Sequence, residues 1–191
     1  MALALFKFNL LGLASAFLLF YTALSNNPWW TVYGGVGDER TFSAEVSPFN
    51  ISVEVLGKPV IVPMLFYLTM AARLSILLAA ATTLLGSLLA NKPWSKPLIS
   101  LRGLILPVLF LAGLFITLNL ASSYANVSIP LIGRSIIEYT INYGGLRIDT
   151  EMAVEAALTQ EYWIALTAGV LSVLAKADHG RIVGDQPRNA D

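Results

Sequence analysis

Four apolar runs constrain this chain more than any other feature. They are "ALALFKFNLLGLASAFLLFYTAL" at 2–24, "LSILLAAATTLLGSLLA" at 74–90, "GLILPVLFLAGLFITLNLA" at 103–121 and "YWIALTAGVLSVLA" at 162–175. A helix needs roughly 20 apolar residues to cross a bilayer. The fourth run reaches that length only with help from the preceding "EMAVEAALTQE". The first also has the layout of a secretory signal, with Lys7 ahead of an apolar core, and is read here as a span. Hydrophobic residues make up 56% of the chain and charged residues 13%, against roughly 25% charged in a soluble domain.

Lysine and arginine set the orientation of such a chain. The termini and the "NKPWSKPLISLR" loop carry Lys7, Lys92, Lys96, Arg102, Lys176, Arg181 and Arg188, whereas the other two loops carry only Arg40, Lys58, Arg134 and Arg147. Those two loops also hold nine acids: Asp38, Glu39, Glu45, Glu54, Glu138, Asp149, Glu151, Glu155 and Glu161. The bias predicts a multi-pass protein of the plasma membrane, with both termini cytoplasmic and the acidic loops outside. One N-x-[ST] glycosylation sequon falls in each outer loop, at Asn50 and Asn126.

The outer loops carry strand signals. Phe42, Ala44 and Val46, then Ile51, Val53 and Val55, alternate with polar residues, and "SPFN" and "LGKP" interrupt them as turns. In the second loop "NVSIPLI", "RSIIEYTI" and "LRIDTEM" read alike, with "NYGG" as a hairpin turn. The Tyr-Gly-Gly of "TVYGGVGD" and of "TINYGGLRID" reads as shared turn chemistry. About five strands are expected in one antiparallel sheet, because a lone hairpin is marginal in water.

The predicted fold is thus an integral membrane α-helical bundle of four transmembrane helices with a small extracellular antiparallel β-sheet built from both outer loops. The helices are expected at 2–24, 63–91 (membrane part 73–90), 103–121 and 151–176 (membrane part 161–176). Outer loops at 25–62 and 122–150, an inner loop at 92–102 and a cytoplasmic tail at 177–191 complete the chain.

Arg73 is the one charge inside "FYLTMAARLSILLAAATTLLGSLLA". It lies 17 residues above Ala90, about 25 Å at the helical rise, near the outer edge of a hydrocarbon core roughly 30 Å thick. Glu161 and Asn119 come out at a similar level on the fourth and third helices. Arg73 is therefore expected to pair with Glu161, or with Glu155, in a polar layer that includes Asn119, where snorkelling makes the charge tolerable. Trp29, Trp30, Trp94 and Trp163 fit interfacial belts, and Trp29–Trp30 is the candidate interaction surface, since exposed aromatics are frequent binding hot spots.

Several function classes are excluded. The membrane runs contain no aspartate, histidine or cysteine, so no paired carboxylates and no nucleophile–base arrangement can be built within them. The single histidine, His179, sits in "KADHGRIVGDQPRNAD" and reads as a solvated tail residue, because a metal site needs several converging ligands. No catalytic, cofactor-binding or metal-binding residue is assigned, and no cofactor is expected. Without a basic cluster to track phosphates, nucleic acid is not an expected partner.

What remains is a non-catalytic interaction protein that presents an extracellular β-domain. Four helices, inner termini, a short inner loop and a sheet from both outer loops resemble the claudin-like tetraspan membrane proteins. That family's first-loop pattern of tryptophan, Gly-Leu-Trp and paired cysteines is represented here only by the tryptophans of "NNPWWTVYGG". The resemblance implies lateral self-assembly or contact between cell surfaces. The alternative is a cofactor-free accessory subunit of a larger respiratory or transport complex. The expected partners are membrane lipids and either further copies of this chain or other membrane subunits.

Overall fold

The computed structural model describes residues 8–36, 39–61, 63–125, 128–143 and 146–183. The element order is α1 (Leu10–Leu24), β1 (Trp30–Val36), β2 (Glu39–Ser47), β3 (Asn50–Val55), β4 (Lys58–Pro59), α2 (Pro63–Leu88), α3 (Ser95–Leu98), α4 (Arg102–Ala125), β5 (Gly133–Tyr143), β6 (Leu146–Leu158) and α5 (Gln160–Val183). The chain divides into two compact units. One comprises residues 1–25, 70–108 and 163–191, the other residues 26–69 and 109–162.

The expected tetraspan bundle of four transmembrane helices is corrected by these elements. Among the described residues, two helical stretches are long and apolar enough to cross a membrane, Pro63–Leu88 and Ser95–Tyr124. Helix α1 has 15 residues, about 22 Å of rise, short of the roughly 30 Å core. Helix α5 has length, but Glu161, Lys176 and Asp178 break its apolar run. The fourth helix was expected to begin at Glu151, ahead of a membrane part at 161–176, yet 151–158 is paired as β6, so a strand takes the residues that helix needed. Nor is the sheet small: it has six antiparallel strands in the order β4-β3-β2-β1-β6-β5.

In the sheet-bearing unit, β1 lies between β2 and β6, with Trp30 opposite Val46 on one side and Leu158 on the other. One face of the sheet is apolar. Trp30, Val32, Ala44, Ile137, Val154 and Ala156 pack with Leu114 and Leu118 of α4 into a buried cluster. This is the period-two pattern closing on one helix stripe. Strand β1 was not foreseen, because Tyr33-Gly34-Gly35 reads as a turn. Instead Gly34 lies within the strand, where a Cβ would stand 2.7 Å from the Phe42 ring. The register shifts between Gly34 and Gly35, leaving Thr41 unpaired in the ladder, and the Thr41 hydroxyl donates to the Gly34 carbonyl at 3.2 Å. Such a bulge sharpens the local twist.

Trp29 and Trp30 are 1% and 2% exposed, so the expected interaction surface at this pair is corrected: both are core. Trp29 meets Phe49, Phe110 and Tyr162 edge-on, at centroid distances of 5.6, 5.3 and 6.1 Å. The Trp30 indole N–H donates to the Leu131 carbonyl at 2.7 Å. Backbone bonds strap the segment down on both sides, from Trp29 N–H to Val46 O and from Thr159 N–H to Trp29 O, each 2.9 Å.

The helical unit packs through small residues. A Cβ on Gly169 of α5 would stand 2.6–2.8 Å from the backbone of Gly103 and Leu104, so only glycine permits this helix approach. Hydroxyls tie the helices to each other's backbone: Ser15 to the Ala168 carbonyl at 2.8 Å, Ser172 to the Ser100 carbonyl, and the Ser100 N–H to Thr83 Oγ1 at 3.2 Å. Gly169→Ala should destabilise the protein by about 1–3 kcal/mol through overpacking, lowering Tm by roughly 2–10 °C. Gly113→Ala, whose Cβ meets nothing within 4 Å, should be neutral or slightly stabilising. Thermal unfolding of the two variants in one detergent checks the contrast.

Candidate functional site

Glu161, 9% exposed at the start of α5, accepts a 2.8 Å hydrogen bond from Asn27 Nδ2. Glu155 projects from β6 and pairs with Arg134 at 3.3 Å. The exposed Asn119 turns its amide back to the Phe115 carbonyl of its own helix, at 2.7 Å. Arg73 is half-buried on α2. Asn50 opens β3 with an exposed side chain, whereas Asn126 lies outside the described residues.

The face of the sheet opposite the apolar cluster is acidic. Glu45, Glu54, Glu138, Glu151 and Glu155 stand exposed on it, because each takes the alternate position to a core residue along its strand. Arg40 lies over the Tyr33 ring, 4.7 Å from its centroid, and the Tyr33 hydroxyl donates to Glu45 at 3.2 Å. Partial burial and the neighbouring Glu45 carboxylate raise the Tyr33 pKa above the usual phenol value. The register sets Arg134 opposite Glu155, but it sets Glu138 opposite Glu151, a like-charge pair of the kind that destabilises a ladder.

The polar group that sequence reasoning missed is in the helical unit. His179 is not a solvated tail residue. It lies on α5 at 3% exposure, with Nε2 2.8 Å from Ser95 Oγ and Nδ1 3.5 Å from Asn9 Nδ2. The Ser95 hydroxyl donates to the Lys92 carbonyl at 2.6 Å. That leaves Nε2–H as the donor to Ser95 and Nδ1 as the acceptor from Asn9, one neutral tautomer. A nucleophile would need the reverse, with serine donating to the ring, so this pair holds helices together rather than activating a hydroxyl.

Asn9 explains why α1 begins where it does. Its Oδ1 caps the helix by accepting from the Gly12 N–H at 3.0 Å, its Nδ2 donates to the Ala175 carbonyl at 2.8 Å, and its own N–H donates to Ser87 O at 3.0 Å. The signal was present in "FKFNLLG", since asparagine ranks among the best N-caps, but an unbroken apolar run concealed it.

A hollow of about 460 Å³ in the same unit is lined by Leu78, Thr82, Pro97, Ser100, Arg102 and Lys176, among others. Among the described residues, no group of three or more histidine, cysteine, aspartate or glutamate side chains could hold a metal. No family model, curated protein or solved structure matches this chain.

Burial, and secondarily the Lys96 charge, lower the His179 pKa below its usual value. The folded state therefore favours neutral imidazole, and the unfolded chain binds its proton first as pH falls. The stability contributed by this cluster should be intact above about pH 6.5, the ordinary histidine value, and be lost as pH drops towards the lowered folded-state pKa. Thermal unfolding between pH 8 and pH 5 should show a falling Tm for the native chain and a flatter profile for His179→Gln.

Proposed function

We propose that this chain is a non-catalytic membrane protein that uses its six-stranded sheet to associate with another protein surface, foremost with further copies of itself. What carries the membrane half of this reading is the distribution of apolar side chains. On α2, Met64, Phe66, Leu74 and Leu78 are more than half exposed, and so are Val108, Phe115, Ile116 and Leu120 on α4. Many positions buried in the helical unit are instead small or hydroxylated, with Ala16, Ala80, Thr83, Ser87 and Ala168 all at 0%, beside the aliphatic Leu19, Ile76 and Ile99. A protein surrounded by water rarely exposes contiguous apolar surface on this scale, whereas lipid makes it favourable, and small residues are what membrane helices use to approach one another.

The association half is supported by the sheet itself. Its acidic outer face and its long terminal strand β5 are surfaces that a partner could read. Lateral self-assembly is the kind of association that a claudin-like resemblance implies. In this reading α2 and α4 cross the plasma membrane, and the basic α3 segment with Lys92, Lys96 and Arg102 faces the cytoplasm, as charge bias favours.

The chain has no cysteine, so single-cysteine variants report topology cleanly. In intact cells, an impermeant maleimide should label Lys58→Cys on β4 and should spare Asn91→Cys until the membrane is opened. Extraction by alkaline carbonate, or labelling of Asn91→Cys in sealed cells, would overturn the membrane placement. Stoichiometric foreign subunits after purification in mild detergent would replace self-association with an accessory role in a larger complex.

A further inference from the structure

The two edges of the sheet are not equivalent. β4, at one end, is two residues long and contains Pro59, a combination that blunts edge pairing. β5, at the other end, runs from Gly133 to Tyr143 with no proline and no lysine in "GRSIIEYTINY". It is a long edge without the usual protection, and its backbone can accept one more strand.

We infer that β5 pairs antiparallel with β5 of a second copy of this chain, centred on Ile136, to join two sheets into one. This inference rests on the self-association proposed above and names its surface. Charge selects the register. Arg134, Ile136 and Glu138 occupy alternate positions of one strand, and all three are exposed, Ile136 at 66%. A two-fold axis through Ile136 sets Ile136 against its own copy and sets Arg134 of each chain opposite Glu138 of the other. Pairing then runs from Gly133 to Tyr139 in both copies. A register centred on Glu138 would overlap more of the strand, but it puts Glu138 opposite itself. One centred on Ile137 leaves Glu138 opposite isoleucine. Of these three, only the Ile136 register makes two opposite-charge cross-strand pairs, each stabilising relative to alanine.

The electrostatics within one chain favour the same partner. Glu138 already faces Glu151 across the β5–β6 ladder, so it gains from a cation on its open side. Arg134, which pairs with Glu155 at 3.3 Å, can lie between that carboxylate and the Glu138 of the second copy. Each strand thus carries both the charge that needs neutralising and the one that supplies it, as a two-fold interface requires.

Residues directly opposite in an antiparallel pair have Cα atoms about 4.5–5.5 Å apart, within the range a disulfide spans. In the full chain reconstituted into lipid vesicles, Ile136→Cys should therefore form a disulfide-linked dimer under mild oxidation, at least tenfold faster than Lys58→Cys on the opposite edge. Arg134→Glu or Glu138→Arg, each added to the Ile136→Cys background, should slow cross-linking on the order of tenfold, and the double swap should restore it.

Restoration by the double swap is the result a merely structural role for either residue would not give. If Lys58→Cys cross-links and Ile136→Cys does not, self-association stands and the β5 pairing is wrong. Equal rates for the two cysteines, or a double swap no faster than the single ones, likewise overturn the pairing. If neither cysteine cross-links and the protein sediments as a monomer, the self-association fails together with this interface.

Discussion

The pairing of β1 with β6, strands more than a hundred residues apart in the chain, makes one sheet out of two segments. The first segment supplies β1 to β4 and the second supplies β5 and β6, with Trp30 set opposite Leu158 and Gly35 opposite Ala153. Neither segment alone would close the apolar cluster. Trp30, Val32 and Ala44 come from one, Ile137, Val154 and Ala156 from the other, and α4 adds Leu114 and Leu118. A side chain at this junction has to be buried, which is why the two tryptophans that look like surface anchors are core. The indole nitrogen of Trp30 keeps its hydrogen bond inside by meeting the Leu131 carbonyl, as a buried polar handle must.

The helical unit solves a different problem by a different chemistry. Its interior is rich in alanine, serine and threonine; the Ser15 and Ser172 hydroxyls donate to carbonyls of neighbouring segments, and the Thr83 hydroxyl accepts from the Ser100 N–H. Each such bond satisfies a polar group that burial would otherwise penalise. Gly12, Gly103 and Gly169 let the backbones and hydroxyls approach. Asn9 and His179 add an amide and an imidazole whose donors and acceptors match one another only in the neutral ring form. Leu19, Ile76 and Ile99 are buried there, whereas Leu74, Leu78 and Leu85 are left exposed. The sheet-bearing unit buries an aromatic and aliphatic cluster, whereas the helical unit buries more small and hydroxylated residues together with a few aliphatic ones.

Much of the sheet was legible in sequence. Phe42, Ala44 and Val46 lie in β2 and Ile51, Val53 and Val55 in β3, as their alternation requires, because a strand with one buried face must repeat every second residue. β1 was hidden because its two glycines resemble a turn, and their actual use, making room for the Phe42 ring at a bulge, depends on a neighbour strand that no local window contains. The end of the second segment misled in the opposite direction. "EMAVEAAL" has good helix formers and reads as the start of a helix, yet it pairs with β1 and β5. Propensity is a weak prior beside two ladders of hydrogen bonds.

The sequence by itself determined the apolar character of the helices, the absence of cysteine chemistry and the alternation that makes strands, since these depend only on residue type and spacing. Tertiary structure decided which residues are inside. It buried Trp29, Trp30 and His179, began α1 at the Asn9 cap rather than near the first residue, and gave Glu155 and Glu161 the partners Arg134 and Asn27. It also set Glu138 against Glu151, a juxtaposition fixed by strand register. Burial and pairing partners are properties of segments distant in sequence meeting in space, and for that reason the linear pattern could name the charges without saying what each one faces.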